Sequence, residues 1–227
     1  MNDGRGDATG AFLMEQFARI GKALSSPQRL KLVELLAQAE RTVEQLASVT
    51  GLSIANTSQH LQVLLRARLV SNRKDGLYVH YSLADAAVYA LWRSMQLLGE
   101  ARLAEVREFL AEEFDDGAEA EAVTPEALQE RIRAGDVTLI DVRPAEEYRQ
   151  AHLPGAVSMP VDEIESRLAE LPNGREVVAY CRGPYCLLGP SAVRRLREGG
   201  FTASRLSLSV PEWARDGHPT ETGGDYS

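Results

Sequence analysis

Residues 51–70 read GLSIANTSQHLQVLLRARLV, and residues 71–83 continue with SNRKDGLYVHYSL. In the first stretch, Ser53 stands directly before apolar residues of helical spacing, which is the place of an N-cap, and we expect the helix to extend to about Ala67. In the second stretch, the alternating residues on either side of Asp75-Gly76 are typical of a hairpin with a tight turn. The two stretches therefore predict one helix followed directly by a two-stranded hairpin.

Three further helices are predicted upstream of this pair. Apolar residues recur at helical spacing over 12–24, and Ser26-Pro27 then supplies a cap and a first-turn proline for a second helix. A third, short helix opens at Thr42, where Gln45 completes a capping box, and closes at Gly51. This order of helices and hairpin is the plan of a winged helix–turn–helix, whose second motif helix enters the DNA major groove while the wing contacts the flanking backbone.

The candidate DNA-contacting residues lie on the helix after residue 53 and on the hairpin. Short polar side chains on that helix can reach base edges, the helix N-terminus can bind a phosphate, and basic residues of the wing can neutralise phosphates. The candidates are Ser53, Asn56, Ser58, Gln59, His60, Arg73 and Lys74. Two alternatives stay open: that His60 packs in the core, and that Arg73 and Lys74 are simply solvated residues of a turn.

The charges of the chain are divided unevenly. The whole protein carries a net charge of −8 at pH 7, but residues 1–83 hold 10 Lys/Arg against 7 Asp/Glu, and residues 84–227 hold 15 against 26. No acidic residue lies between Glu44 and Asp75 in the sequence, which favours a surface that faces phosphate. A buried helical segment would exclude acidic residues as well, so the pattern by itself does not decide between the two.

A long helix is predicted from Ala84 to about Phe114. Its apolar stripe is wider than one small domain can cover, which indicates either a core or a dimer interface. Residues 115–121, DDGAEAE, are acidic and small and have the composition of a linker. We therefore expect a DNA-binding and dimerisation domain over 11–114, an acidic linker over 115–122 and a second domain over 123–220.

Helices and strands alternate in the second domain. The pattern predicts helices over 124–134, 144–150, 161–171 and 191–199, and strands over 137–142, 156–159, 177–180 and 203–208. Such alternation is typical of an α/β domain with a parallel sheet covered by helices on both faces. The predicted fold class is thus multidomain, with a mainly-α winged helix–turn–helix followed by an α/β domain.

Both cysteines of the chain lie in one loop, Cys181-Arg182-Gly183-Pro184-Tyr185-Cys186. The apolar strand before the loop delivers Cys181 to the carboxyl end of the sheet, where open parallel sheets place their ligand sites. Backbone N–H groups of such a loop, the following helix N-terminus and Arg182 would all lower a thiol pKa. We therefore take these six residues as the candidate catalytic loop and expect the lowered pKa at Cys181.

Other chemistries for this loop are weighed by spacing. A Cys-x5-Arg phosphatase or arsenate reductase needs an arginine at position 187, and Leu187 stands there. A zinc site needs about four ligands, which two cysteines do not supply, so neither a metal nor a cofactor is predicted. Two inert, buried cysteines are the remaining alternative.

Two parts of the chain resemble known families. Residues 23–36, ALSSPQRLKLVELL, together with the helix and hairpin of 51–83, resemble the ArsR family of dimeric bacterial repressors over about residues 12–112. Three segments resemble the signatures of a rhodanese domain over about residues 123–220: LIDVRPAEEYRQAHLPGA (139–156), CRGPYC (181–186) and VPEWARDGHP (210–219). The rhodanese resemblance implies that Cys181 accepts a sulfane sulfur as a persulfide and that Asp141 and Arg143 brace the end of the sheet.

The chain departs from both families at several positions. It lacks the cysteines on the third helix and the histidines on the last helix through which many ArsR-type repressors bind metals. In the rhodanese-like part, Cys186 stands where the loop usually ends in arginine, Ser207-Leu208-Ser209 replaces a glycine turn, and Ala151 replaces a glycine. These differences imply either a weakened catalyst or a sensor that keeps the reactive thiol.

Together, the residues and the resemblances predict a homodimeric transcriptional regulator that binds palindromic double-stranded DNA and accepts or senses sulfane sulfur at Cys181. The alternative is a thiosulfate or persulfide sulfurtransferase whose helix–turn–helix mainly dimerises or targets it. Both functions require a sulfane-sulfur donor, and the enzyme also requires a thiol or cyanide-like acceptor. The polar first ten residues and the lack of a long apolar run predict a cytoplasmic protein that does not contact membranes.

Overall fold

The computed structural model describes residues 3–114 and 125–223. The chain divides into two compact units, residues 1–96 and 97–227. The predicted acidic linker at 115–122 lies outside the described residues. Among the residues that are described, no helix is both long and apolar enough to cross a membrane.

The N-terminal unit begins with four helices: α1 (Asp3–Leu24), α2 (Pro27–Gln38), α3 (Val43–Thr50) and α4 (Ile54–Arg66). The boundaries of α3 and α4 follow the caps expected from the sequence, whereas Ser26 precedes α2 without a side-chain capping hydrogen bond. Thr42 and Gln45 form the capping box of α3, and Gly51 ends that helix with a φ of 71°. The Ser53 hydroxyl caps α4 by accepting a hydrogen bond from the backbone N–H of Asn56 at 3.2 Å. The helix–turn–helix therefore consists of α3, a short turn and α4.

The wing is a small antiparallel sheet with strand order β1-β3-β2. Its strands are β1 (Arg41–Thr42), β2 (Val70–Asp75) and β3 (Tyr78–Leu83). Asp75 pairs with Tyr78, so the two-residue turn is Gly76-Leu77, one position later than the expected Asp75-Gly76. Glycine occupies the turn position that has a φ of 59°. The sequence pattern does not reveal β1, because a strand of two residues leaves no alternation to detect.

One apolar core joins the helices of the N-terminal unit to the wing. Leu61 and Leu64 of α4 are buried in it together with Leu32 and Leu35 of α2 and Tyr81 of β3. Because this face of α4 is committed to the core, its opposite face is left for solvent or a ligand.

The long helix expected over 84–114 is two helices, α5 (Ala86–Arg102) and α6 (Ala104–Phe114). The chain breaks between them at Leu103. The guanidinium of Arg107 donates hydrogen bonds to the carbonyls of Glu100 and Ala101 at 3.3 and 3.2 Å, and so satisfies the last turn of α5. The prediction of one continuous helix is therefore wrong at Leu103. In a continuous helix, backbone N–H groups would bond the carbonyls of Glu100 and Ala101, whereas here the Arg107 side chain bonds them.

The C-terminal unit carries a four-stranded parallel sheet with strand order β5-β4-β6-β7. The strands are β4 (Val137–Asp141), β5 (Val157–Ser158), β6 (Glu176–Tyr180) and β7 (Ala203–Leu206). The accompanying helices are α7 (Pro125–Ala134), α8 (Ala145–Gln150), α9 (Ile164–Arg167), α10 (Leu188–Glu198) and α11 (Val210–Arg215). The predicted α/β architecture is confirmed, with one helix, α11, that the sequence reasoning did not assign.

Alternate residues of β6 face opposite sides of this sheet. Ala179 belongs to a core with Val193 of α10, whereas Tyr180 belongs to a second core with Trp213 of α11. This alternation is expected of a parallel sheet that is covered on both faces. Cys181 follows β6 directly and lies in the first of these two cores.

The segment Ser207-Leu208-Ser209 replaces the glycine turn without backbone strain. Arg68 is the only non-glycine residue with a positive φ among the described residues. Ser209 instead forms a capping box with Glu212 and starts α11. The chain therefore reshapes this turn rather than forcing Leu208 into a conformation that favours glycine.

Candidate functional site

Helix α4 presents the predicted DNA-contacting side chains in its N-terminal half. Asn56 and Gln59 are exposed. Ser58 and His60 are half-buried, so His60 is not a fully buried core residue. Ser53 is exposed and uses its hydroxyl as the helix cap, so its contribution to a phosphate site would be the ordered helix N-terminus.

The wing places Arg73 and Lys74 on the exposed strand β2, but carboxylates hold Arg73. Its guanidinium donates to Glu40 at 2.6 and 3.1 Å and to Asp75 at 3.1 Å, and these hydrogen bonds raise the pKa of Arg73. Nδ1 of His80, on the neighbouring strand, lies 3.5 Å from the same Glu40 carboxylate. An exposed ion pair is weak, so a DNA phosphate can compete with Glu40 for Arg73. The sequence reasoning missed Glu40, which belongs to no motif.

The two cysteines are free thiols in the loop between β6 and α10. Cys181 is buried, and Cys186 is partly buried. The Cys181 thiol donates toward the carbonyl oxygens of Gly183 at 3.6 Å and Cys186 at 3.5 Å. The loop therefore places the Cys181 sulfur against the backbone of Cys186.

The hydrogen bond between the sulfurs separates their pKa values. The hydrogen bond from Cys181 and, after it, the backbone amide and positive charge of Arg182 together lower the pKa of Cys186 to about 6. The same hydrogen bond, together with burial, raises the pKa of Cys181. Near neutral pH the pair therefore holds one proton, on Cys181, and one negative charge, on Cys186. The lowered pKa expected at Cys181 lies instead at Cys186, because Cys186 receives the charge of Arg182 and is the less buried of the two.

Arg182 is itself held by a carboxylate from another helix. Its guanidinium donates three hydrogen bonds, of 2.7 to 3.1 Å, to Glu147 of α8. The Glu147 side chain is fully buried, and that of Arg182 is 10% exposed. The sequence reasoning did not select Glu147, although it lies within the first rhodanese-like signature.

The backbone conformation of Gly183 and a side-chain hydrogen bond of Tyr185 define the rest of the loop. Gly183 has a φ of 129°, which side chains rarely adopt, so the turn requires glycine there. Pro184 is half-buried. The Tyr185 hydroxyl donates a hydrogen bond of 2.5 Å to Glu100 near the end of α5, and both residues lie in the C-terminal unit.

A buried ion pair lies at the carboxyl end of the sheet, next to the loop. The fully buried side chains of Arg143 and Asp141 meet at 2.6 Å, and the Tyr180 hydroxyl donates to the same Asp141 carboxylate at 2.7 Å. Tyr180 immediately precedes Cys181, so this network fixes the point at which the loop leaves β6. The arrangement fits the bracing role expected for Asp141 and Arg143.

Among the residues that the structure describes, no group of three or more His, Cys, Asp or Glu side chains is placed to hold a metal ion.

A winged helix–turn–helix and an α/β domain with a two-cysteine loop define a DNA-binding regulator joined to a rhodanese-like domain. The family model for "Bacterial regulatory protein, arsR family" matches residues 26–72, and that for "Rhodanese-like domain" matches residues 124–216. The chain is 42% identical to the HTH-type transcriptional regulator Rv0324 of Mycobacterium tuberculosis, over 94% of this chain and 93% of that protein. The chain therefore belongs to the ArsR-family winged helix–turn–helix regulators that carry a C-terminal rhodanese-like domain.

Two other known proteins match one part of the chain each. A protein of Allochromatium vinosum named "Sulfurtransferase" is 32% identical over 98 residues, which cover 43% of this chain and 91% of that protein. A solved structure from Mycobacterium bovis, the homodimeric winged helix–turn–helix DNA-binding domain of Mb0332, is 35% identical. That match covers 46% of this chain and 93% of the other, with a TM-score of 0.41.

Proposed function

We propose that this chain is a homodimeric transcriptional regulator that binds a palindromic operator and whose rhodanese-like domain accepts or senses sulfane sulfur at Cys181. The observation that carries the proposal is the loop at the end of β6 that holds both thiols, with Sγ of Cys181 3.5 Å from the carbonyl oxygen of Cys186, in a chain that also contains a winged helix–turn–helix. A reactive thiol pair and a DNA-binding fold on one chain can link a chemical change to transcription. Because a regulator acts where the DNA is, the cytoplasm is its place of action.

The DNA-binding part of the proposal rests on α4 and the wing. We infer that the exposed half of α4 enters the major groove and that the wing lies along the flanking phosphates. The residues proposed to contact DNA are Ser53, Asn56, Ser58, Gln59, His60, Arg73 and Lys74. Base contacts from the helix would give specificity, and phosphate contacts would give position and salt dependence.

Exposed apolar side chains support the homodimer. On α1, Phe12, Met14 and Phe17 are 59 to 61% exposed, and on α5 Leu97 and Leu98 are 51 and 61% exposed. Several large exposed apolar side chains within one helix are typical of surfaces that another chain covers. A symmetric dimer presents two copies of α4 to two half-sites, which is why we propose a palindromic operator.

Sulfur transfer to the loop of residues 181–186 begins with the proton that the two sulfurs share. When this proton passes from Cys181 to Cys186 along their hydrogen bond, Cys181 becomes the thiolate, which is the nucleophilic form. The Cys181 thiolate attacks the sulfane sulfur of a donor, and the donor's S–S bond breaks. The bonding electron pair leaves with the rest of the donor, and Cys181 becomes a persulfide.

We further propose that Cys186 resolves this persulfide. Its sulfur attacks Sγ of Cys181, hydrosulfide leaves, and a Cys181–Cys186 disulfide forms without an external oxidant. Mass spectrometry after treatment with a persulfide donor should find the wild type lighter by two hydrogens than the dithiol. Cys186→Ser should stop one sulfur atom heavier. A wild type that also stops at the persulfide would exclude a resolving role for Cys186.

The experiment that tests the proposed function is DNA binding by three forms of the protein. The reduced, persulfidated and disulfide forms, with verified masses, are each titrated with an operator selected from random DNA. We expect their affinities to differ, because a switch requires the loop states to interact differently with the rest of the protein. Equal affinities of the three forms would contradict sensing.

A sulfurtransferase is the second candidate function. It is favoured by the match of the rhodanese-like part to the Allochromatium vinosum protein named "Sulfurtransferase", of which 91% is covered. In this case the helix–turn–helix mainly dimerises or targets the enzyme. Rapid turnover of thiosulfate or a persulfide with a thiol or cyanide acceptor, together with weak and non-specific DNA binding, would favour the enzyme over the regulator.

A further inference from the structure

Arg205 is a buried cation that lies against the two-cysteine loop. It belongs to β7 and pairs with Ala179 of β6, two positions before Cys181, so its side chain leaves the sheet on the same face as that of Cys181. A Cβ atom added to Gly189 of α10 would lie 2.8 Å from Cδ of Arg205 and 3.4 Å from Sγ of Cys181. The stem of Arg205 and the Cys181 sulfur therefore approach the same point at the start of α10.

The guanidinium of Arg205 is incompletely paired. The residue is 4% exposed, its Nη1 donates to the Ser207 hydroxyl at 2.8 Å, and its central carbon lies 5.1 Å from the centre of the Phe114 ring. Within the described part of the chain, however, Nε has no hydrogen-bond acceptor. Buried donors are normally bonded and buried charges normally paired, because an unsatisfied group is costly to bury. An unpartnered Nε on a buried side chain whose stem lies near the Cys181 sulfur therefore indicates an anionic ligand.

The other arginine of the site is already committed to a carboxylate. Arg182 gives three hydrogen bonds to the buried Glu147, which balances its charge. No such ion pair with a carboxylate is found for Arg205 among the residues that the structure describes. A small anion at the Cys181 sulfur would therefore be bound by Arg205 rather than by Arg182.

We propose that Arg205 binds the anionic group of the sulfur donor and makes the loop selective for anionic over neutral sulfane-sulfur compounds. The inference rests on the proposed transfer of sulfur to Cys181. With thiosulfate, the Cys181 thiolate attacks the outer sulfur, the S–S bond of thiosulfate breaks, and sulfite leaves with the bonding electron pair. Arg205 holds the oxygens of the departing group through charge-assisted hydrogen bonds.

The test follows alkylation of Cys181 in the full chain, resolved from that of Cys186 by peptide mass spectrometry, and compares two reagents of similar size, anionic iodoacetate and neutral iodoacetamide. We expect Arg205→Met to lower the ratio of the two rates by about tenfold, and Arg205→Lys to restore most of it. The control is Arg194→Met, which removes the same charge from an exposed position of α10. It should change the ratio by less than about twofold, because solvent and salt screen an exposed charge. An unchanged ratio in folded Arg205→Met would overturn the inference.

A second measurement applies even if Arg205→Met does not fold. In the wild type, sulfate should slow alkylation by iodoacetamide more than chloride does at the same ionic strength, and equal effects of the two salts would also overturn the inference. Persulfide loading from thiosulfate is followed in parallel. A wild type that takes up no sulfur but keeps the preference for the anionic reagent would contradict the proposed sulfur transfer and support anion binding by Arg205.

Discussion

Glu147 of α8 holds the side chain of Arg182 through three hydrogen bonds, and the backbone amide and charge of Arg182 in turn lower the pKa of Cys186. Glu147, in the first rhodanese-like signature, thereby positions Arg182, which helps to lower the pKa of Cys186 in the second signature. Since the Glu147 side chain is fully buried, its only compensation for lost hydration is the guanidinium and its other hydrogen bonds.

We expect Glu147→Gln to destabilise the protein by about 3–5 kcal/mol, because it leaves the Arg182 charge largely buried without its carboxylate partner. The measurement is the free energy of unfolding, taken from the urea-denaturation transition of the C-terminal unit in the full chain. Glu165→Gln is the matched control, since it breaks the more exposed Arg195–Glu165 pair, and it should cost about 1 kcal/mol or less. Equal losses in the two variants would show that the buried pair adds no stability.

The pair of cysteines should give one thiolate at neutral pH. The pKa of Cys186 is lowered to about 6, so the thiolate is present above that pH and is lost as the pH falls through it. The rate of alkylation of the wild type, measured against pH, should therefore show a midpoint near 6. In Cys186→Ser the midpoint should move upward, because burial disfavours the Cys181 thiolate. A wild-type midpoint near about 8.5, the value of an ordinary thiol, would contradict the shared proton.

Local signals predicted most of the fold. The capping box of Thr42 and Gln45, the left-handed Gly51 and the Gly76 turn each depend on residues that are adjacent or nearly adjacent in sequence. The two-cysteine loop could be selected for the same reason, since both thiols lie within six residues. The chemistry of neighbouring residues is visible without a structure.

Contacts between distant residues could not be predicted in this way. Glu147 and Arg182 are 35 positions apart, and Glu40 and Arg73 are 33 positions apart. Which cysteine carries the lower pKa depends on such contacts and on burial. The sequence shows neither of these, so it predicts the lower pKa at the wrong cysteine, Cys181. The apolar periodicity continues past Arg102, where α5 ends, so the pattern predicted a single helix. The hydrogen bonds of the Arg107 side chain to the last turn of α5 are not visible in that pattern.

Gln59 is the exposed α4 side chain best suited to read a base. If it does so, Gln59→Ala should weaken binding to the selected operator by about 1–3 kcal/mol and leave binding to random DNA almost unchanged. Titration of both duplexes at one salt concentration measures the difference. Equal losses on the two duplexes would remove Gln59 from the base-reading residues.

Glu40 should limit the contribution of the wing to DNA binding, because it holds Arg73 at 2.6 Å. Glu40→Gln removes the competing charge, and we expect tighter DNA binding with a salt dependence steeper by about one phosphate contact. Glu34→Gln removes the same charge from α2, where Glu34 pairs with Lys31, and shows how much of the change is a general effect of charge. An unchanged salt slope in Glu40→Gln would mean that Arg73 does not move to a phosphate.

The hydrogen bond from Tyr185 to Glu100 connects the two-cysteine loop to the last turn of α5. A disulfide between Cys181 and Cys186 would reshape the loop and with it the position of the Tyr185 hydroxyl. We therefore expect Glu100→Ala to reduce the difference in operator affinity between the dithiol and disulfide forms. Disulfide formation itself, followed by mass spectrometry, should continue, because Glu100 lies outside the loop. Glu108→Ala, which removes an exposed carboxylate from α6, is the control and should retain the full difference. If Glu100→Ala retains it as well, the signal does not pass through this hydrogen bond.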